Sequence, residues 1–237
     1  MSLTLYELRG LDGRRYSLFS WRAKLALAHK GLAHERVAVR VSVSDKAPIA
    51  FSGQNKVPIL RDGEEVVVDS WRIAEHLEDR YPDRPRLFDG AGARALAQFV
   101  AGFVDRQLLP RLAPLLMIDV TAIVDAEDGA HLRRQIEAAF KRPLEELAGS
   151  RDKDIVAFRR LLDPARLVLA KHEFLSGTAP GYADYVLFSL FLWARMVSPF
   201  EVLDAADRMA VWRERLLDLH GGLARAAPAR AASPRPA

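Results

Sequence analysis

The chain contains no cysteine. That excludes disulfides, thiolate metal sites and a cysteine nucleophile, and it fits a reducing compartment. Excess charge of one sign is scarce too: 35 Lys and Arg against 31 Asp and Glu leave a formal net charge of +4. Part of that surplus is Arg225, Arg230 and Arg235, which follow the last acid, Asp218. The body is therefore close to neutral, and no stripe of interleaved basic and aromatic residues points to nucleic acid. Long apolar runs are missing. The most apolar segment, YVLFSLFLWARMVSPF from Tyr185, is interrupted by Arg195 and is short for a membrane span, so it reads as a buried helix. The opening residues lack the basic stretch and apolar run of a secretory signal, and a cytoplasmic location is expected. Histidines 29, 34, 76, 131, 172 and 220 form no HExxH or other close pair, so no bound metal is expected. No GxSxG marks a serine nucleophile.

What is present is a chain of 237 residues, 50% hydrophobic, long enough for a substantial core. Its first part mixes strand and helix signals. LTLYEL (3–8) has strand composition and a turn-rich RGLDG follows. Trp21, Leu25 and Ala28 share one face of a helix around 18–30, with Gly31 as its stop. HERVAVRV resembles a second strand, and VPILRDG with EEVVVD reads as a hairpin turning at Asp62–Gly63. From Ser70 a helix runs to a stop at Pro82. The order is β-α-β-β-β-α, with a long connection over 42–55. Beyond YPDRPRLFDG the strand signals cease, and residues 93–112, 130–148, 152–172, 182–197 and 204–219 read as helices. The expected organisation is a mixed α/β domain over 1–84 and an all-helical domain over 93–220. GGLARAAPARAASPRPA, over 221–237, has the composition of a flexible tail.

Three places could carry chemistry. YSLFSWRAKLALAHKG sets Ser17 at a helix start, either as a cap that accepts a first-turn amide or as a donor to a bound anion. In NKVPIL, Pro58 opens an apolar strand and leaves the Val57 backbone free at its edge. In VVVDSWRIAEHL, Asp69 and Ser70 end a strand and open a helix, a place suited either to a plain serine cap or to a carboxylate ligand. Each alone is satisfied by a structural role.

Taken together, in this order and followed by an all-helical domain, these segments resemble the glutathione transferase superfamily, nearly to residue 220. Ser17, SWRAK, LAHKG and DSWRIAEHLEDRYPDRP look most like its bacterial β-etherase branch, which cleaves lignin-derived aryl ethers. The resemblance implies a thioredoxin-like domain that binds glutathione as co-substrate, a helical domain that receives a hydrophobic aromatic electrophile, and a homodimer. It assigns thiolate stabilisation to Ser17, with Tyr6 in TLYEL as the competing hydroxyl. A cis bond before Pro58 is implied, with Val57 pairing through its backbone with the cysteinyl unit. Asp69 and Ser70 would grip the γ-glutamyl end and Lys56 the glycyl carboxylate. Phe19 is the nearest candidate to line the electrophile pocket. Two departures stand out: Leu18 and Phe19 replace the branch's usual proline and tyrosine, and Gly181 stands where a Ser or Thr cap precedes Asp184, leaving a capping box incomplete. The stripe Phe99, Phe103, Leu108, Leu112 and Leu116 reads as core or dimer surface in preference to a lining for the aromatic substrate, and the helices at 93–112 and 130–148 as candidate dimer contacts. The alternative to an enzyme is a non-enzymatic glutathione-binding or protein-interaction module with the same fold.

Overall fold

The computed structural model describes residues 2–41 and 47–230. Strand β1 (Leu3–Leu8) leads through a loop to α1 (Leu18–His29), and β2 (Glu35–Val39) returns parallel to β1. A short 3-10 segment (Ala47–Ser52) precedes β3 (Ile59–Asp62) and β4 (Glu65–Val68), and α2 (Ser70–Arg80) completes the thioredoxin-like unit. The long connection expected over 42–55 is thus partly helical; residues 42–46 lie outside the described set. The strands lie in the order β2-β1-β3-β4, with the β1–β3 and β3–β4 pairs antiparallel. The hairpin turns at Gly63–Glu64, one residue later than expected, where Gly63 takes a φ of 60° that glycine accepts freely.

The two faces of β1 differ. Leu3 and Leu5 point into the large core shared with α1 and the helical domain, whereas Tyr6 joins Val39, Ile49 and Ile59 in a small core on the opposite face. This is the period-two alternation of a strand buried on both sides.

The helical domain comprises α3 (Gly90–Phe103), α4 (Leu109–Thr121), α5 (Ala126–Phe140), α6 (Leu144–Gly149), α7 (Arg151–Arg160), α8 (Asp163–Leu169), α9 (Tyr182–Val197) and α10 (Arg208–Gly222). The expected helix at 93–112 is longer. α3 passes through a π turn at Val104–Leu108 into α4, which tolerates Pro114. The expected helices at 130–148 and 152–172 each divide. Lys141 adopts a left-handed conformation ahead of Pro143, and Pro164 starts a new helix. The apolar stripe divides as well: Leu108, Leu112 and Leu116 are core, while Phe99 is 73% exposed.

α9 runs through the middle and is buried along nearly its whole length. Its Asp184 carboxylate, 0% exposed, accepts N–H bonds from Leu175 (2.7 Å), Ser176 (3.0 Å), Gly181 (3.2 Å) and the Trp212 indole (2.9 Å). The capping box keeps the half that a glycine permits. A Cβ on Gly181 would lie 2.6 Å from Ser176 Oγ, so close packing accounts for the missing Ser or Thr.

Part of the expected flexible tail is packed. Ala224 and Ala227 belong to the large core, Arg195 donates to the Ala227 carbonyl at 2.9 Å, and Arg225 pairs with Glu214 and Asp218. Small side chains allowed this close packing despite the low-complexity composition. Residues 231–237 lie outside the described set. Among the described residues, no helix is long and apolar enough to cross a membrane.

Candidate functional site

Sheet register gathers the candidate residues. Tyr6 of β1 pairs with Ile59 of β3, and Ile59 pairs with Val68 of β4. The C-terminal end of β1, the N-terminal end of β3 and the C-terminal end of β4 therefore share one end of the sheet. Val57–Pro58 leads into β3 there, and Asp69–Ser70 leaves β4 there. Helix α1 connects β1 to the parallel strand β2 and so runs back along the sheet, which puts its N-terminus, at Ser17, at the same end.

Ser17 caps α1. Its Oγ accepts the Ser20 amide at 3.3 Å, its carbonyl accepts Trp21 N–H at 3.0 Å, and the residue is 8% exposed. A hydroxyl holds one donor and two acceptor positions. Capping uses an acceptor position and leaves the hydroxyl hydrogen to donate, so the two roles open at the sequence level are compatible. Ser20, the next hydroxyl, is 1% exposed and its Oγ has no hydrogen-bond partner among the described residues. The loop entering α1 is fixed from the helical domain: Leu11 N–H donates to Ile123 O at 2.7 Å, and a Cβ on Gly10 would stand 2.5 Å from that oxygen.

The Val57–Pro58 bond is cis, as the resemblance implied. Val57 is half-buried against the small core and Lys56 beside it is exposed. At α2, Asp69 has a φ of 78°, and its carboxylate accepts Trp71 N–H at 2.9 Å and Arg72 N–H at 3.2 Å, both through Oδ1. The next residue, Ser70, is buried.

Tyr6 lies on the face of the sheet away from α1, with its ring 5.1 Å from that of Phe51. Phe19 is half-buried, with the Arg22 guanidinium 4.8 Å from its ring centre. An apolar pocket of about 210 Å³ lies in the helical domain, lined by Phe99, Phe103, Leu108, Leu162, Val168 and Leu187 among others; Phe19 is not part of it.

Buried charge underpins α1. Glu7, on the Leu3–Leu5 face of β1, is 0% exposed and pairs with Lys24 at 2.7 Å and Arg36 at 2.6 Å. Burial pushes the Lys24 ammonium down to about 8, against the opposing pull of Glu7. Arg22 reaches across to the helical domain, to Asp105 on the π turn at 2.6 Å and to Ser189 at 3.1 Å. At the other end of α1, His29 Nδ1 lies 2.7 Å from the Tyr185 hydroxyl, which lies 3.0 Å from His220 Nε2. Sequence reasoning missed these interdomain partners, as it missed Tyr182, whose hydroxyl donates to the Ser70 carbonyl at 2.7 Å. No local signal marks contacts between residues so distant in the chain.

Comparison with known proteins agrees with the fold. Residues 11–85 match the family model of the glutathione S-transferase N-terminal domain, and residues 95–219 that of the C-terminal domain. The probable glutathione S-transferase GSTU1 of Oryza sativa is 26% identical over 214 residues, covering 84% of this chain and 80% of that protein. The glutathione S-transferase-like protein ustS of Aspergillus flavus is 26% identical over 171 residues, 68% of this chain and 58% of its own. For a zeta-class transferase of Euphorbia esula the figures are 34% over 102 residues, 40% and 45%. The match thus spans less than two thirds of the length of these last two proteins. Among solved structures, glutathione transferase GSTFuA2 of Phanerochaete chrysosporium superposes with a TM-score of 0.74 at 25% identity, over 97% of this chain and 100% of that one. A Ceriporiopsis subvermispora glutathione S-transferase in complex with glutathione gives 0.75 at 20% identity, over 96% and 99%. With its two parts matching the two halves of one family, the chain belongs to the glutathione S-transferases.

Proposed function

We propose that this family member is a glutathione transferase in which the Ser17 hydroxyl stabilises the thiolate of bound glutathione for attack on a hydrophobic, aromatic electrophile. One observation carries the reading: Ser17 caps α1 through an acceptor position and keeps its hydroxyl hydrogen, at the sheet end that also holds Val57–Pro58 and Asp69–Ser70. A thiol with a reference pKa of about 8.5 is mostly protonated at neutral pH, and each unit of lowering needs about 1.4 kcal/mol of preference for the thiolate. A hydroxyl donor and the positive end of α1 both supply that preference. Ser17 acts as a donor, not as a base.

In this proposal the Val57 backbone pairs with the cysteinyl unit, Asp69 and Ser70 take the γ-glutamyl end, Lys56 meets the glycyl carboxylate, and Phe19 borders the electrophile. The solved relative bound to glutathione supports the choice of co-substrate. The reaction implied by the β-etherase resemblance is cleavage of a β-aryl ether. A sulfur–carbon bond forms as the carbon–oxygen bond breaks, and the aryloxide leaves and takes up a proton. The purified protein, incubated with glutathione and a panel of β-aryl ethers, chloroaromatics, isothiocyanates and peroxides, is expected to give a glutathione adduct detectable by mass. Glutathione binding with no product from any member would return the protein to a binding module.

A homodimer belongs to the same proposal, and α3 favours it over α5. Leu96 is 68% and Phe99 73% exposed on α3, whereas α5 exposes one large apolar side chain, Phe140 at 37%, beside Arg134, Gln135 and Ala138. Light scattering should give a dimer mass, lowered toward the monomer by Phe99→Asp. A native protein that stays monomeric at micromolar concentration would contradict this.

A further inference from the structure

Tyr182 opens α9 and is 1% exposed. Its hydroxyl donates across the domain boundary, at 2.7 Å, to the carbonyl of Ser70, the first residue of α2. Burial holds the phenol well above its ordinary pKa, so it stays a donor. The ring is held on two more sides: its centroid lies 5.6 Å from Trp71 and 5.5 Å from Phe88, and those two rings are 5.5 Å apart. The Tyr182 amide also donates to Leu87 O at 2.9 Å. The starts of α9 and α2 and the segment between the domains therefore meet in one closed contact.

The backbone held there is unusual. Asp69 is not glycine, yet its φ is 78°, a conformation that persists only where the surroundings dictate it. The Asp69 carboxylate holds one side of the turn through the Trp71 and Arg72 amides. Tyr182 holds the other through the Ser70 carbonyl. The Ser70 carbonyl and the Trp71 amide belong to one peptide unit, so Tyr182 and the Asp69 carboxylate hold that unit from its two ends.

We infer that Tyr182 is a positioning residue: by gripping the Ser70 carbonyl it holds the Asp69–Ser70 turn in the geometry that receives the γ-glutamyl end of glutathione. This rests on the assignment of Asp69 and Ser70 to glutathione under the proposed function. Tyr182 itself does not touch the ligand in this scheme.

The test is a double-mutant cycle on glutathione affinity, using native protein, Tyr182→Phe, Ser70→Ala and the double variant, with folding checked by circular dichroism. Tyr182→Phe should weaken glutathione binding about three- to tenfold, the range that one hydrogen bond's net contribution corresponds to. It should raise KM and leave kcat at saturating glutathione unchanged. In the Ser70→Ala background it should cost less than in the native protein, because the hydroxyl it positions is gone while the carbonyl it grips and Asp69 remain. Equal affinity of native and Tyr182→Phe proteins, or losses that simply multiply, would overturn the inference while leaving the proposed function intact. Native protein that does not bind glutathione would remove both. If Tyr182→Phe does not fold, hydrogen exchange on native protein decides. Saturating glutathione should slow amide exchange in the first turns of both α2 and α9, and protection confined to α2 would overturn the inference.

Discussion

Helices α1 and α2 start at the same end of the sheet, each with an oxygen-bearing side chain at its cap, yet the two caps are built differently. Ser17 has ordinary extended backbone (φ −66°, ψ 119°) and accepts one amide at 3.3 Å. Asp69 has a φ of 78° and accepts two amides, at 2.9 and 3.2 Å. A carboxylate is an acceptor only, whereas a hydroxyl keeps a donor. The same local device thus yields sites of opposite polarity. The Asp69 end is a fixed negative group suited to an ammonium, and the Ser17 end offers a hydrogen to an anion. The proposed function uses this polarity: the amino end of glutathione at Asp69 and its thiol at Ser17.

The largest expected effect breaks the α2 cap. Asp69→Ala should cost about 1–2 kcal/mol in urea unfolding through cap loss, with alanine keeping a Cβ at the same positive φ, and glutathione affinity should fall with it. Asp69→Gly loses the same cap but accepts that φ, so it should cost about 1 kcal/mol less. If glycine proves as destabilising as alanine, backbone strain has no part in the contrast between the caps.

Next in size is a pH effect at the far end of α1, which separates the anchoring of the helix from the chemistry at its start. Burial lowers the His29 pKa, with Lys30 acting the same way and the Arg86 carbonyl and Glu78 acting against it. Burial and then His29 lower that of His220. Both folded values lie below the unfolded 6.5, so the unfolded chain binds protons first as pH falls. Stability should be full above about 6.5 and decline below it, by a few degrees in Tm at about pH 5.5. His220→Asn, which suits the positive φ of 53° at that position, should flatten the profile. A profile that steepens in that variant would remove the histidine contact from the account.

The smallest effect is expected from Tyr6→Phe. The ring stays against Phe51 and only the hydroxyl is lost, so stability should change by no more than about 0.5 kcal/mol and the thiol pKa of bound glutathione should stay put. A raised thiol pKa in this variant would transfer the activating role to Tyr6.

The sequence revealed the local parts of this arrangement. The β-α-β-β-β-α order could be read because hydrophobic period and turn residues act over a few positions. The Ser17 cap was visible because a cap bonds only two or three residues ahead; at α2 the same reasoning expected a serine cap, one residue away from Asp69, which holds the Trp71 and Arg72 amides. Resemblance, rather than propensity, supplied the cis bond at Pro58, since only about 5% of such bonds are cis. What stayed hidden is long-range. Tyr182 and Ser70 are 112 residues apart and Arg22 and Asp105 are 83 apart, and no periodicity links them. Pro114 obscured the length of α4: the expected helix stopped at 112, whereas α4 carries this proline inside and runs on to Thr121. Small residues hid the packing of Ala224 and Ala227, whose segment has the composition of a linker.

The central claim, that the α1 cap also donates to sulfur, is tested most directly by titrating the thiol of bound glutathione through its thiolate absorbance, in native protein and in Ser17→Ala. Folding and glutathione occupancy are matched between the two. The account predicts a bound thiol below its reference value of about 8.5 in the native protein and a rise of about one unit or more in the variant, with turnover slowed in proportion. A folded, glutathione-saturated Ser17→Ala protein with unchanged thiol pKa and turnover would leave Ser17 as a helix cap and nothing more.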